Sequence, residues 1–153
     1  MHQKLKFILT AFGIVLGGTM LTTNTHAQEG VKISDDAEVF KAFGEKAGIV
    51  IIVDDFMVNL LNDPRTKPSF EKTDQKHIKE QLVDQFCFIL NGPCEYKGAK
   101  MKQIHGEAGV NREQFNALVE QLQFAMDKNN VPFRAQNKLL AVLAPMHRDI
   151  ITK

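Results

Sequence analysis

The chain has 153 residues, with 19 lysines and arginines against 18 aspartates and glutamates, five histidines and two cysteines. That length suits a single domain, and a formal net charge of +1 gives no electrostatic basis for a nucleic-acid or anionic-membrane partner. The spacing of Cys87 and Cys94 fits neither a zinc site nor a Cys-x-x-Cys motif.

The first 27 residues read as a secretory signal. Lys4 and Lys6 form a short basic start, residues 7–21 form an apolar run, and Thr25-His26-Ala27 offers a small-residue cleavage site before Gln28. The run falls short of the roughly 20 apolar residues that span a bilayer; an uncleaved anchor is the competing reading. Of the 19 basic residues two lie in this segment, which leaves 17 against 18 acidic residues in 28–153. The expected product is an exported domain, periplasmic or secreted, with no stable membrane association after processing and enough chain for one core.

From Asp35 onward the pattern is helical. Asp35 with Glu38 resembles a capping box that opens a short helix through Lys41 and Ala42. Gly44 and Gly48 flank a turn. From Gly48, the residues Ile49, Ile52, Val53, Phe56, Leu60 and Leu61 recur at three and four, one face of a helix, and Asn62-Asp63-Pro64 ends it. Thr73-Asp74 caps a helix that carries Ile78, Leu82, Phe86, Ile89 and Leu90 inward. Asn91-Gly92-Pro93 stops it. A loop leads to a short helical piece from Met101 to His105, which Gly106 and Gly109 break. Asn111 with Gln114 opens a further helix with Phe115, Leu118, Val119, Leu122 and Met126 on its buried face. The last helix carries Leu139, Leu140, Leu143 and Met146, and Pro145 inside it should kink or end it. The sum is five or six helices and no sheet, an all-α domain of the kind that holds cofactors between helices.

In an oxidising space Cys87 and Cys94 can pair; alternatively Cys87 is a small core residue and Cys94 an exposed loop thiol. Three histidines remain after processing: His77, His105 and His147. No zinc site, Ser-His-Asp set or phosphate loop is visible.

Several segments resemble the group I truncated haemoglobins. They are Phe43-Gly44-Glu45-Lys46-Ala47-Gly48-Ile49, Asp54-Asp55-Phe56 and Leu61-Asn62-Asp63-Pro64, and then Asn91-Gly92-Pro93-Cys94-Glu95-Tyr96-Lys97-Gly98, Met101-Lys102-Gln103-Ile104-His105 and Leu143-Ala144-Pro145-Met146. The Gly-Pro-x-x-Tyr-x-Gly stretch and the Met-x-x-x-His beyond it are the specific part, and the likeness runs from about Val39 to Ile151. It implies a two-over-two helical sandwich around haem b, with His105 as the proximal iron ligand. Phe70, Met101, Ile104, Phe115, Leu118 and Leu143 fall on positions that wall the haem, where apolar side chains keep water from the iron. Thr73, His77, Lys79 and Tyr96 fall at or near the propionate edge, where a donor can meet a carboxylate.

The distal side departs from the family. Met57, next to Phe56, stands where a tyrosine is usual. The distal helix offers Ile78, Gln81 and Leu82, with Phe86 at a position that often gates a ligand tunnel. The usual glutamine appears one residue early, at Gln81. A ligand that gains negative charge on binding wants a hydrogen-bond donor, and Met57 and Leu82 donate nothing. The resemblance thus implies a globin for diatomic gases (oxygen, nitric oxide, carbon monoxide), in oxygen binding or transport. Nitric-oxide dioxygenase activity is open to it given an external electron donor. The alternative is an exported haem redox or electron-transfer protein with six-coordinate iron, Met57, His77 or Gln81 approaching the metal. A helical module without haem is the third option, and His105 with its aromatic wall argues against it.

The leader generates the first prediction. Mass spectrometry of the exported protein should find Gln28, free or cyclised, at the N-terminus. A full-length cytoplasmic product would refute the assignment.

Overall fold

The structure, a computed structural model, describes residues 32–33 and 37–153. The signal segment and the Asp35 cap lie outside the described residues. Eight α-helices and one 3-10 helix are present among those described: α1 Ala37–Ala42, α2 Glu45–Asn62, α3 Lys67–Phe70, α4 Gln75–Ile89, α5 Met101–His105, α6 Arg112–Lys128, α7 Phe133–Leu143, the 3-10 helix Ala144–Met146 and α8 His147–Ile150. No strand occurs among the described residues; Val110 and Ile151 meet in a single isolated bridge.

The expected caps are in place. The Asp74 side chain accepts from the His77 N–H at the start of α4. Asn111 and Gln114 form the reciprocal capping box of α6, with bonds of 2.9 and 3.0 Å. Pro145 ends α7 as its missing N–H requires, and the chain passes through the 3-10 turn into α8. Two points differ from the sequence pattern. Gly48 does not end a turn: α2 already starts at Glu45, and Gly48 lies in its first turn, where any Cβ would run into the Phe43 carbonyl. The bare glycine lets α1 fold tightly back onto α2. Lys67–Phe70, between the Asn62-Asp63-Pro64 stop and the Thr73-Asp74 cap, form α3, an element the sequence pattern did not indicate.

Helix α2 packs on both α4 and α6, while α7 packs on α4 and α6. This gives two layers of two helices, the two-over-two arrangement. Lys46 to Asp84 (3.1 Å) and Lys79 to Asp54 (2.8 Å) run in opposite order along α2 and α4, so the two are antiparallel. The core between the layers holds Ile49, Ile52, Val53, Phe56 and Leu60 of α2 against Val83, Phe86 and Leu90 of α4, Leu122 and Met126 of α6, and Leu139 of α7. Cys87 and Cys94 form a disulfide with 5.8 Å between their Cα atoms. Of the readings left open, pairing is the one the fold adopts.

Where α2 ends, a polar knot replaces apolar packing. The buried Asp63 carboxylate accepts from the Arg65 backbone N–H at 2.8 Å, from Arg65 Nε at 3.0 Å and from the Gln121 amide at 2.7 Å. Arg65 also pairs with Glu120 at 2.6 Å. Thr66, equally buried, donates to the Leu60 carbonyl at 2.7 Å. A buried carboxylate is tolerable only when so fully bonded. The Arg65 side chain, then the Arg65 backbone N–H, hold the Asp63 carboxyl far below the usual carboxylate range.

A depressed carboxyl pKa stabilises the folded state above the unfolded value, about pH 4, and loses that contribution as pH falls through the folded value. Asp63→Asn should therefore be less stable than the parent at pH 7 in urea unfolding, with the gap narrowing below about pH 4. A gap constant from pH 7 to pH 3 would show that the charge on Asp63 is not what stabilises the knot.

Candidate functional site

Helix α5 is one turn and a half long and ends on His105. The half-buried imidazole has its Nδ1 at 3.0 Å from the Met101 carbonyl oxygen, four residues back along the same turn. A carbonyl can only accept, so Nδ1 carries the proton. In the neutral ring Nε2 then keeps its lone pair, the form in which imidazole ligates a metal. His147 is held in the same way, its Nδ1 at 2.8 Å from the Ala144 carbonyl, and its ring centroid lies 6.2 Å from that of Phe115. Hydrogen bonding alone does not choose between the two rings. The flanking sequence does, since only His105 stands in the Met-x-x-x-His pattern. His77 is exposed; only its backbone N–H, at the α4 cap, is tied.

Among the described residues no three His, Cys, Asp or Glu side chains converge as a metal cage. A metal carried inside a macrocycle needs only one axial side chain, so the single imidazole fits a haem better than a bare ion. The apolar residues expected around it are partly uncovered. Phe70, Leu118 and Leu143 are half-buried and pack against the edge of the core, Met101 is half-buried, and Phe115 is buried. Ile104, next to His105, is 54% exposed. A large apolar side chain this open beside a free imidazole leaves surface for a flat apolar group to cover. The residues present thus fit a haem.

The distal set divides by helix. Phe56 and Met57 on α2 and Phe86 on α4 are buried, whereas Ile78, Gln81 and Leu82 on α4 are half-buried. A groove of about 510 Å³ follows the α2–α4 seam, lined in part by Asp54, Met57, Gln75 and Lys79. Its cross-strut is the Lys79–Asp54 pair, so the Lys79 ammonium is engaged on the α2 side. A carboxylate that recruited it would have to displace Asp54. The Thr73 hydroxyl is likewise engaged, donating to the Phe70 carbonyl at 2.8 Å. Tyr96 is half-buried with its ring laid directly over Gly98, and burial pushes its phenol pKa up. It remains protonated, a donor, at neutral pH.

One buried polar residue of α4 escaped the sequence pattern. Gln85 of α4 is buried, and the partner of its amide is the sulfur of Met146, at 3.9 Å. Its signal was positional. It stands seven residues after Ile78, three after Leu82 and four before Ile89, in the apolar stripe itself.

The geometry can be compared with known proteins. Residues 38–152 match the family model described as bacterial-like globin. The chain is similar to the group 1 truncated hemoglobin of Mycolicibacterium paratuberculosis, 28% identical over 119 residues, covering 78% of this chain and 88% of that protein. It is similar to the group 1 truncated hemoglobin of Tetrahymena pyriformis, 26% identical over 115 residues, covering 75% and 95%. The crystal structure of the Tetrahymena pyriformis truncated hemoglobin in its Fe(III) form superposes with a TM-score of 0.71, covering 75% of this chain and 98% of that one at 26% identity. With this coverage the chain belongs to the bacterial-like globin family, with the fold of the truncated globins.

Proposed function

We propose that this protein is an exported haem globin that binds diatomic gases, oxygen or nitric oxide, with His105 as the axial ligand. The observation that carries the reading is the family match over residues 38–152, within which His105 alone stands in the Met-x-x-x-His pattern, its Nδ1 held by the Met101 carbonyl so that in the neutral ring Nε2 keeps the lone pair. Haem b, when bound, supplies an iron with a sixth position for a small ligand. The chain does the rest. Met101 fixes the imidazole tautomer and its rotation. Phe70, Ile104, Phe115, Leu118 and Leu143 supply apolar surface that excludes water. Tyr96, Thr73 and His77 stand as donors for the carboxylate edge, Thr73 at the cost of its bond to Phe70. Export follows from the leader read in the sequence. Nitric-oxide dioxygenation is the accessible enzymatic chemistry and draws its electron from a separate donor.

A second reading, a six-coordinate redox protein, is favoured by one feature. Met57 places a thioether, a competent iron ligand, in the buried part of the distal side.

The purified protein should take up one haem and show a Soret band, and the ferrous form should be five-coordinate and bind carbon monoxide. His105→Ala should lose stable haem binding, while His147→Ala should keep it. An unchanged Soret band and haem content in the His105 variant would disprove the ligand assignment. A six-coordinate ferrous spectrum without added gas would favour the redox reading.

The distal side yields a further expectation. Met57→Tyr adds a hydroxyl donor. A hydrogen bond to a strongly polarised acceptor contributes about 1.5–3 kcal/mol, which slows oxygen release by roughly 10- to 150-fold. Carbon monoxide, much less polar when held, should leave at nearly its former rate. Stopped-flow release of the two gases measures the difference, and equal slowing of both would point to a steric block instead.

A further inference from the structure

Helix α4 has two opposite faces. Lys79 and Asp84 reach α2, so Val83 and Cys87 between them point at α2 as well. With 3.6 residues per turn, Ile78, Leu82, Gln85 and Ile89 lie on the other face. Ile78 and Leu82 on that face are half-buried, and Gln85 is 7% exposed. This stripe therefore runs from the open part of the domain into its interior, and Gln85 is the polar side chain at its inner end.

Most buried polar side chains elsewhere in the domain have strong partners. Asp63 binds Arg65 and Gln121, Thr66 binds a carbonyl, and the Gln136 amide reaches Asp127 at 2.7 Å and the Val131 carbonyl at 2.9 Å. The partner of the Gln85 amide is the Met146 thioether at 3.9 Å, a weak acceptor. A primary amide buried on such a bond gives up little when it turns to a better acceptor. The same stripe presents no other donor at Ile78 or Leu82.

We infer that Gln85 is the hydrogen-bond donor of the gas pocket, its Nε2 exchanging the Met146 sulfur for the negative end of a polarised diatomic ligand. The inference rests on the proposed gas-binding function. It sets ligand preference: oxygen and other ligands that gain negative charge are held longer, carbon monoxide is not. Met146 on the 3-10 turn is the resting partner of the amide and so a positioning residue.

The test compares the parent with Gln85→Leu and Gln85→Met, the second keeping length and flexibility without a donor. Each is loaded with haem and followed by oxygen and carbon monoxide release and by the infrared C–O stretch of the carbon monoxide form. The haem-free proteins are compared in urea. Oxygen release should accelerate about tenfold or more in both variants, carbon monoxide release should stay near the parent value, and the C–O stretch should rise. The haem-free Gln85→Leu protein should be no less stable than the parent, because it replaces a weakly bonded buried amide with an apolar side chain. Unchanged oxygen release with an unshifted C–O stretch overturns the inference, as does equal acceleration of both gases, which marks a packing role. A parent that takes up no haem overturns the gas-binding function and this inference together; a parent that binds haem with Gln85 variants indistinguishable from it overturns this inference alone.

Discussion

A helix of five residues cannot hold itself in water. Its few internal hydrogen bonds do not repay the ordering of its backbone. Yet α5 carries His105 at its last position, and the tautomer of that ring depends on a bond to the first residue of the same helix. The rest of the domain therefore has to supply the order that α5 lacks. Upstream, the Cys87–Cys94 disulfide ties the segment leading into α5 to the buried inner half of α4. Downstream, the Val110 carbonyl accepts from the Thr152 and Lys153 N–H groups at 2.9 and 3.2 Å. Helix α8 packs directly on α5. The imidazole is thus clamped from a distal-side helix at one end and from the last described residues at the other.

Those clamps rest in turn on the two layers. The first layer is fixed at its outer rim by ion pairs and at the end of α2 by the Asp63 knot, where a carboxylate, a guanidinium and an amide satisfy one another and the Thr66 hydroxyl donates to the Leu60 carbonyl. A knot of this kind contributes specificity of register more than net stability. Removing one member strands the others, whereas an apolar replacement of the whole set would cost far less. It holds α2, the α2–α3 connection and α6 in one relation, and with them the depth at which Phe56 and Met57 sit.

The sequence showed most clearly what local chemistry decides. Asp74 and Asn111 cap their helices because a short side chain with an acceptor oxygen before an amphipathic run has few other uses. Pro145 breaks the last helix for lack of an N–H. His105 stood out among the histidines because a resemblance marked its flanks. What stayed hidden depends on contacts far apart in the chain. Gly48 looked like a turn residue, and its role as a close-approach point for Phe43 exists only once α1 folds back on α2. Helix α3 is too short to show a period. Whether Cys87 and Cys94 pair depends on how tightly the chain turns at residues 91–93. Lys79, a natural partner for an anion by composition, is already committed to Asp54 across the seam.

Gln85 was hidden for a different reason. Hydropathy treats glutamine as solvent-facing, and a single polar residue in an apolar stripe reads as noise. Helical geometry removes the ambiguity, since a side chain in register with Ile78 and Ile89 cannot face solvent while they face inward. The two faces of α4 are then free to serve separate ends. The face toward α2 is apolar and ion-paired, and changes there act on stability. The opposite face carries Ile78, Leu82 and Ile89 with one buried amide, Gln85, held by one sulfur. A change at Gln85 therefore leaves the ion pairs and the apolar contacts with α2 in place.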